Sequence, residues 1–157
     1  MNLSRPTAAL TLAFALCLCV SCRTGPPLPP ADFSAPGWQV HQGQAVWKPP
    51  GKRPELTGDL LLATNAVGDF YIQFSKTPFT IAAAQRSDDQ WQIDFGTGQH
   101  HWRGHGTPPK YFSWFQLPVG LNGAAPRAPW KFTRKEDDAW RLENPRTGEW
   151  LEGVLFP

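Results

Sequence analysis

The sequence predicts a mainly β protein, in which a single curved antiparallel sheet forms an incomplete, half-open β-barrel with one short helix as its lid. Apolar residues recur at every second position over short runs, which is typical of strands with one buried face. The runs follow one another at intervals of about 8–12 residues, separated by turn-forming residues. Ten phenylalanines and eight tryptophans supply the bulky side chains that strands favour.

About eight to nine strands fit this pattern. In the first of them, Trp38, Val40 and Val46 share one face, and Gly43 is a candidate β-bulge. Polar turns separate the later strands. The predicted strands are residues 38–47, 56–64, 70–76, 79–85, 91–95, 99–104, 130–135, 139–143 and 149–156.

The third and fourth strands show the alternation most clearly. Phe70, Ile72 and Phe74 alternate with polar residues, and Phe79 and Ile81 continue the same face in the next strand. An apolar face opposite a polar one is typical of a sheet that contacts water on one side. Because only one helix is available to cover the apolar face, that face either closes into a packed core or stays partly open as a ligand cavity. The sequence leaves both alternatives open.

A short helix is expected over residues 109–116. Pro108 or Pro109 suits the first turn of a helix, where a missing backbone N–H costs nothing. Residues 117–129 are expected to form a loop. The helix is either a movable lid over the sheet or an element packed permanently on it.

The N-terminus, residues 1–21, is predicted to be a signal peptide. Arg5 supplies positive charge, and residues 8–20 are uncharged and too short to span a membrane as a helix. A small residue followed by Cys22 resembles the lipobox of bacterial lipoproteins, in which the cysteine is acylated and begins the mature chain. Cys19 stands where a lipobox usually has leucine. The alternative is an ordinary secreted protein whose signal ends near a cysteine.

Two further regions follow the signal peptide. Residues 22–36 are expected to be the lipidated cysteine and a proline-rich tether, and residues 37–157 one β half-barrel domain. Cys22 is the only cysteine beyond residue 21, so the mature domain is expected to contain no disulfide. Two acyl chains on Cys22 would anchor the protein stably in a membrane.

The remaining composition points away from nucleic acid and from catalysis. The net charge is +2, and removing Arg5 with the signal peptide leaves +1 (2 − 1), with the basic residues scattered along the chain. No common catalytic or phosphate-binding motif is present, so we expect no enzyme and no cofactor. His100, His101 and His105 are not expected to bind a metal, because neighbouring residues in a strand point to opposite faces.

The order of several segments resembles the LolA/LolB family of lipoprotein carriers and receptors. The resemblance covers residues 38–156. It rests on LTGDLLLAT at 56–64, on the meander FYIQFSKTPFTIAAAQ and WQIDF, on YFSWFQLPVGLNG at 111–123, and on a closing run of WKF, WRL and TGEW. The resemblance implies an incomplete β-barrel lidded by helices, with an apolar cavity for the acyl chains of lipoproteins in transit.

The resemblance also implies candidate ligand-binding residues and a location. Trp114 and Phe115, with Tyr111 and Phe112, would form the lid. The protein would be a monomer, held by Cys22 on the periplasmic face of the outer membrane. The outer membrane is expected because the common inner-membrane signal, an aspartate directly after the lipidated cysteine, is absent. The side chains expected to line the acyl cavity are Leu60, Leu62, Phe70, Ile72, Phe74, Phe79, Ile81, Trp91, Ile93, Phe95, Trp114 and Phe115.

The chain departs from the family pattern in one respect and leaves a second function open. No amphipathic helix precedes the first strand, so the lid reduces to residues 109–116. Val67 is the candidate for the exposed apolar loop residue that the receptor member uses in transfer. The alternative function is a non-catalytic envelope lipoprotein with a closed core, whose exposed tryptophans bind a protein or a glycan.

Overall fold

The computed structural model describes residues 26–96, 100–136 and 138–156. In the chain order of these residues, a hairpin-rich sheet is interrupted once by a helix. The elements are β1 (Gln39–Lys48), β2 (Leu56–Thr64), β3 (Phe70–Lys76), β4 (Phe79–Ser87), β5 (Gln90–Phe95), β6 (His100–His105), α1 (Ser113–Leu121), β7 (Lys131–Arg134), β8 (Ala139–Asn144) and β9 (Glu149–Leu155).

All nine strands belong to one antiparallel sheet in the order β6-β5-β4-β3-β2-β1-β9-β8-β7. The pairing of β1 with β9 joins the first strand to the last hairpin. β6 and β7 are left as free edges that do not pair with each other, so the sheet is not closed into a barrel. The predicted fold, one open antiparallel sheet with a single short helix, is confirmed. No helix in the described part of the chain is long and apolar enough to span a membrane.

The sheet is strongly curved. Trp47 lies on β1 and Phe95 on β5, which are four strands apart in the sheet. At about 4.8 Å per strand, a flat sheet would separate them by roughly 19 Å. Their rings instead stack with centroids 6.0 Å apart. The parts of the sheet around β1 and β5 therefore bend towards each other around a common interior, and we call the face on that side the inner face.

The connection between the two edge strands contains α1, the one helix among the described residues. α1 lies against the inner face, and Trp114, Phe115 and Leu117 are buried there. Because residues 106–130 begin at the edge strand β6 and end at the edge strand β7, this segment bridges the open side of the half-barrel. The helix therefore covers the interior of the half-barrel, which in a closed barrel would be covered by the sheet itself.

The predicted inner face of β1 is wrong. Val40 is exposed, whereas Ala45 and Trp47, of the opposite parity, are buried. Gly43 is not a bulge, because its strand pairs with β2 in continuous register. A Cβ atom at Gly43 would lie 2.0 Å from the carbonyl oxygen of Val154 on β9, so glycine permits the close approach of the two strands there.

On β4 the predicted face is wrong for Phe79, whereas Ile81 packs against the core as predicted. Ala82 and Ala84 point inward opposite Phe74 and Ile72, while Phe79 is 62% exposed next to the β3–β4 turn. The register shifts after Phe74, so that one extra residue, Ile81, falls between paired positions. A β-bulge reverses the alternation of side chains, and periodicity read across it assigns the wrong face.

The helix starts and ends about four residues later than predicted. Phe112 still has an extended backbone, and α1 continues through Pro118 to Leu121. Proline inside a helix costs about 3 kcal/mol, because one hydrogen bond is lost. Burial of Leu117 and the contact of Gly120 with the Phe132 ring favour continuation of the helix nonetheless.

The proline-rich segment is packed against the sheet rather than extended freely. The Leu28 N–H donates to Gln92 Oε1 at 2.9 Å, and Gln85 Nε2 donates to the Pro29 carbonyl at 3.1 Å. Phe33 contacts the Tyr71 ring at 5.4 Å. These partners lie on the outer face of β5, β4 and β3 in turn. The predicted signal peptide and Cys22 lie outside the described residues.

Candidate functional site

The inner face is the first candidate site, because it gathers most of the side chains expected to line an acyl cavity. Phe79 is the exception, since its side chain is exposed. Ile81, Trp91 and Phe95 are partly buried and pack against the cluster. The residues buried within it are Leu60, Leu62, Phe70, Ile72, Phe74, Ile93, Trp114 and Phe115.

The same cluster includes residues that the sequence analysis did not select. The alternation of Trp140 and Leu142 with polar neighbours was visible in the sequence and would have identified both. The small residues carried no such signal, because alanine occurs on either face. The additional buried members are Ala45, Trp47, Ala82, Ala84, Leu117, Trp130, Trp140, Leu142 and Leu151.

Trp114 is the centre of the aromatic packing. Its ring lies 5.3 Å from that of Trp47, edge to face, and stacks on Phe74 at 5.4 Å. The next residue, Phe115, meets Trp91 at 5.6 Å and Phe70 at 6.1 Å. Two adjacent helix residues thus contact β1, β3 and β5, and aromatic pairs of this geometry contribute about 0.5–1.5 kcal/mol each beyond burial.

A buried carboxylate holds the start of the helix. Glu149 Oε1 accepts hydrogen bonds from Ser113 Oγ at 2.7 Å and from Trp47 Nε1 at 3.0 Å. Burial raises the pKa of Glu149 above its ordinary value, and the two hydrogen bonds oppose that rise. Glu149 therefore connects β9, β1 and α1 at one point, and it does so beneath the helix.

The chain after α1 holds the helix from the other side. Gln116 Oε1 accepts a hydrogen bond from the Arg127 N–H at 3.0 Å, and Arg134 Nη2 donates to the Leu121 carbonyl at 2.8 Å. Trp130 Nε1 donates to the Lys110 carbonyl at 2.6 Å. Along most of its length, the inner face of the described chain is accordingly a packed core rather than an open cavity.

One end of the inner face remains open. A cavity of about 270 Å³ lies where β1 begins, β2 ends and α1 finishes. We call it the mouth pocket. Its floor is apolar and consists of Leu62, Leu121, Trp140 and Leu155. Its rim is polar and consists of Gln39, His41, Thr64, Asn122, Arg134 and Asp138, with Phe156 beside them.

Three buried indole N–H groups of the inner face have no hydrogen-bond partner among the described residues. They belong to Trp91, Trp114 and Trp140. A buried donor left unpaired costs about 1–3 kcal/mol, so each requires an explanation. Trp140 lines the mouth pocket, although its Nε1 atom is itself buried.

The loop that follows β2 carries an exposed apolar side chain. Val67 is 82% exposed, and the loop comes directly after Thr64 of the mouth pocket. Asn65 Oδ1 accepts hydrogen bonds from the N–H groups of Val67 and Asp69 at 3.2 and 2.9 Å. The loop is therefore shaped by its own side chains while it presents valine to solvent.

The histidines of β6 do not converge. His100, His101 and His105 are exposed, and neighbouring positions of the strand face opposite sides. Within residues 26–96, 100–136 and 138–156, no group of three histidine, cysteine, aspartate or glutamate residues is placed to hold a metal ion.

Comparison of the whole chain with known protein families and with curated protein sequences found no family model and no curated protein that matches it.

Proposed function

We propose that this chain is a lipid-anchored protein of the cell envelope that binds the acyl chain of an amphiphile on the inner face of its half-barrel. A carrier or receptor of lipoproteins at the outer membrane would act in this way. The observation that carries the proposal is the open sheet. Its apolar inner face is covered by one inserted segment and not by pairing of β6 with β7.

The mouth pocket suits a ligand with a polar head and an apolar tail. The rim offers the Arg134 guanidinium and the His41 imidazole to a head group, and the floor leads through Leu62 and Trp140 to the aromatic core. The smallest ligand pockets enclose about 300 Å³, close to the size of this one. An acyl chain would start here and extend beneath α1.

The energies allow an acyl chain to replace α1 on the inner face only if the acyl chain is long. Exposing a large apolar side chain costs about 1.5–3 kcal/mol, so releasing Trp114, Phe115 and Leu117 costs roughly 5–9 kcal/mol. Each buried methylene of a ligand contributes about 0.8 kcal/mol, which gives roughly 12 kcal/mol for a sixteen-carbon chain and about 4–5 for a six-carbon chain. Binding should therefore depend steeply on chain length.

A second candidate function is supported by the burial of α1. Ser113, Trp114, Phe115, Gln116, Leu117, Pro118 and Gly120 are all buried between the sheet and the following loop. A helix held on two sides is what a permanently closed core requires. In that case the protein is a non-catalytic interaction module of the envelope, and its exposed aromatic residues contact the partner.

Binding of a fluorescent long-chain fatty acid to the purified protein distinguishes the two functions. Leu155 lines the mouth pocket and Val154 is its neighbour on the outer face. We expect wild type to bind the probe saturably, Leu155→Arg to bind it at least about tenfold more weakly because a charge blocks an apolar floor, and Val154→Arg to bind like wild type. A six-carbon competitor should fail to displace the probe, whereas palmitate should displace it.

Native mass spectrometry of the same preparations provides the independent measurement. Acyl ligands should co-purify with wild type and with Val154→Arg, and be lost from Leu155→Arg. Absence of both probe binding and co-purifying lipid in the folded wild-type protein would eliminate the carrier function and leave the interaction module.

A further inference from the structure

A second group of aromatic side chains lies at the edge of the sheet, apart from the mouth pocket. Trp102 on β6 packs against Phe95 at 5.9 Å and against Phe112 at 5.5 Å, and Tyr111 lies 4.5 Å from Phe112. We call these four residues the aromatic edge. Trp102 is 42% exposed and Tyr111 63%, so the group presents two amphipathic rings to its surroundings.

The N-terminal segment runs towards this edge. Followed backwards along the chain, Phe33 lies over Tyr71 of β3, Pro29 is bonded to Gln85 of β4, and Leu28 to Gln92 of β5. The segment crosses one strand after another. β6 is the next and last strand on that side of the sheet.

The remaining length of chain keeps the predicted lipid attachment point near the same edge. Cys22 precedes Leu28 by six residues, which span at most about 20 Å when fully extended. β6 lies only about 5 Å beyond β5. An anchor on Cys22 would therefore keep Leu28, at β5 and one strand from β6, within about 20 Å of the bilayer.

The chemistry of the edge suits a bilayer surface. Tryptophan and tyrosine concentrate at membrane–water interfaces, where the ring is apolar and the polar atom stays hydrated. β6 contains Arg103 and three histidines and no acidic residue, and Lys110 is exposed beside Tyr111. On the neighbouring strand, Asp94 lies opposite His101. The unpaired backbone groups of an edge strand are excluded from hydrocarbon, so contact is limited to the head-group layer.

We propose that the aromatic edge docks on the surface of the membrane that holds the lipid anchor, with Trp102 and Tyr111 in the interfacial layer and Lys110 towards anionic head groups. This inference rests on the anchoring part of the proposed function. It does not depend on acyl binding at the inner face. Docking would fix the orientation of the half-barrel relative to the bilayer.

Quenching of tryptophan fluorescence by brominated lipids tests the docking. The full lipidated protein is reconstituted in vesicles of phosphatidylcholine with or without phosphatidylglycerol, either plain or brominated in the upper acyl chain. Trp102 is one of eight tryptophans, so Trp102→Phe should remove a minor fraction of total emission but most of the fraction that bromine quenches. Trp150 lies on β9, six strands from β6, and Trp150→Phe should leave quenching unchanged. Quenching should increase with phosphatidylglycerol and decrease with salt.

Each alternative result overturns the docking proposal in a recognisable way. If the protein floats with vesicles but its emission is equal in plain and brominated lipid, anchoring stands and docking is wrong. If quenching persists in Trp102→Phe, tryptophans other than Trp102 contact the lipid, and docking through the aromatic edge is wrong. A Trp102-dependent oligomer in detergent without lipid quenching would assign the edge to a protein partner. Failure to float would refute the anchor itself.

Discussion

Glu149 is a buried carboxyl group whose ionisation affects the stability of this fold. Its carboxylate lies under α1 and accepts hydrogen bonds from Ser113 and Trp47. Burial raises its pKa in the folded state, so the folded protein binds a proton more readily than the unfolded chain. Its contribution to stability is therefore complete below the ordinary value of 4.5 and is lost as the pH rises through the raised pKa.

Glu149→Gln should abolish this pH dependence. The glutamine oxygen can accept both hydrogen bonds, while the charge is removed. The free energy of unfolding of the variant minus that of wild type should be larger at pH 7.5 than at pH 4.5, as measured by urea titration. Glu152→Gln should show the opposite trend, because hydrogen bonds from Lys135 and Arg141 lower the pKa of Glu152. If the free energies of unfolding of Glu149→Gln and wild type differ by the same amount at both pH values, the pKa of Glu149 is not raised in the folded state.

At the scale of an element, α1 both contributes side chains to the core and covers the open side of the half-barrel. Its side chains complete the aromatic packing of β1, β3 and β5, yet the helix belongs to a connection between edge strands and not to the sheet. Phe112, at its N-cap position, makes no side-chain capping bond, and Pro118 removes one internal hydrogen bond. Contacts with the sheet, rather than intrinsic propensity, therefore stabilise the helix.

Truncation of Trp114 measures how much those contacts contribute. Trp114→Ala should lower the free energy of unfolding by about 3–5 kcal/mol, because a large buried ring is removed and the surroundings cannot collapse fully. Tyr111→Ala, at an exposed position just before the helix, should change it by less than about 0.5 kcal/mol. If Trp114→Ala and Tyr111→Ala lower the free energy of unfolding equally, α1 is not part of the core. An acyl ligand would then displace few contacts between α1 and the sheet.

At the scale of the whole molecule, the proposed lipid anchor at Cys22 would be joined to the domain through a segment that is bound to the sheet. Because Leu28, Pro29 and Phe33 contact the outer face, this segment would limit the distance between the half-barrel and a bilayer that holds the anchor. A long flexible linker would leave orientation undefined. Anchoring, docking at the aromatic edge and acyl binding would then act on one membrane-facing molecule.

Removal of the predicted lipid attachment point tests this arrangement in cells. Cys22→Ala should abolish incorporation of labelled palmitate and shift the protein from the membrane fraction to the soluble periplasm after a high-salt wash. Cys17→Ala should behave like wild type, since Cys17 lies within the predicted signal peptide and outside the four residues 19–22 that resemble a lipobox. Unchanged labelling of Cys22→Ala would refute lipidation at this residue.

The strands were predictable because strand periodicity is local. The alternation in residues 70–76 and 91–95 identified both strands and their buried faces, and β3 and β5 have them as predicted. The faces of β1 and β4 were not predictable. Gly43 and Ala45 carry too little apolar signal to outweigh Val40, and the irregular register at Ile81 shifts the alternation by one position. In both cases the partner strand, and not the sequence of the strand itself, decides which side is buried.

By itself the sequence determined the fold class, the number and approximate limits of the strands, and most of the apolar residues on the inner face, because these follow from patterns within short segments. Only the tertiary structure decided that β6 and β7 remain unpaired, that α1 fills the inner face, and that the tether runs along the outer face towards the aromatic edge. Such features depend on curvature and on contacts between residues far apart in the chain, such as Ser113 with Glu149 and Leu28 with Gln92. No local pattern encodes them, since the free energy that selects them arises only when the segments meet.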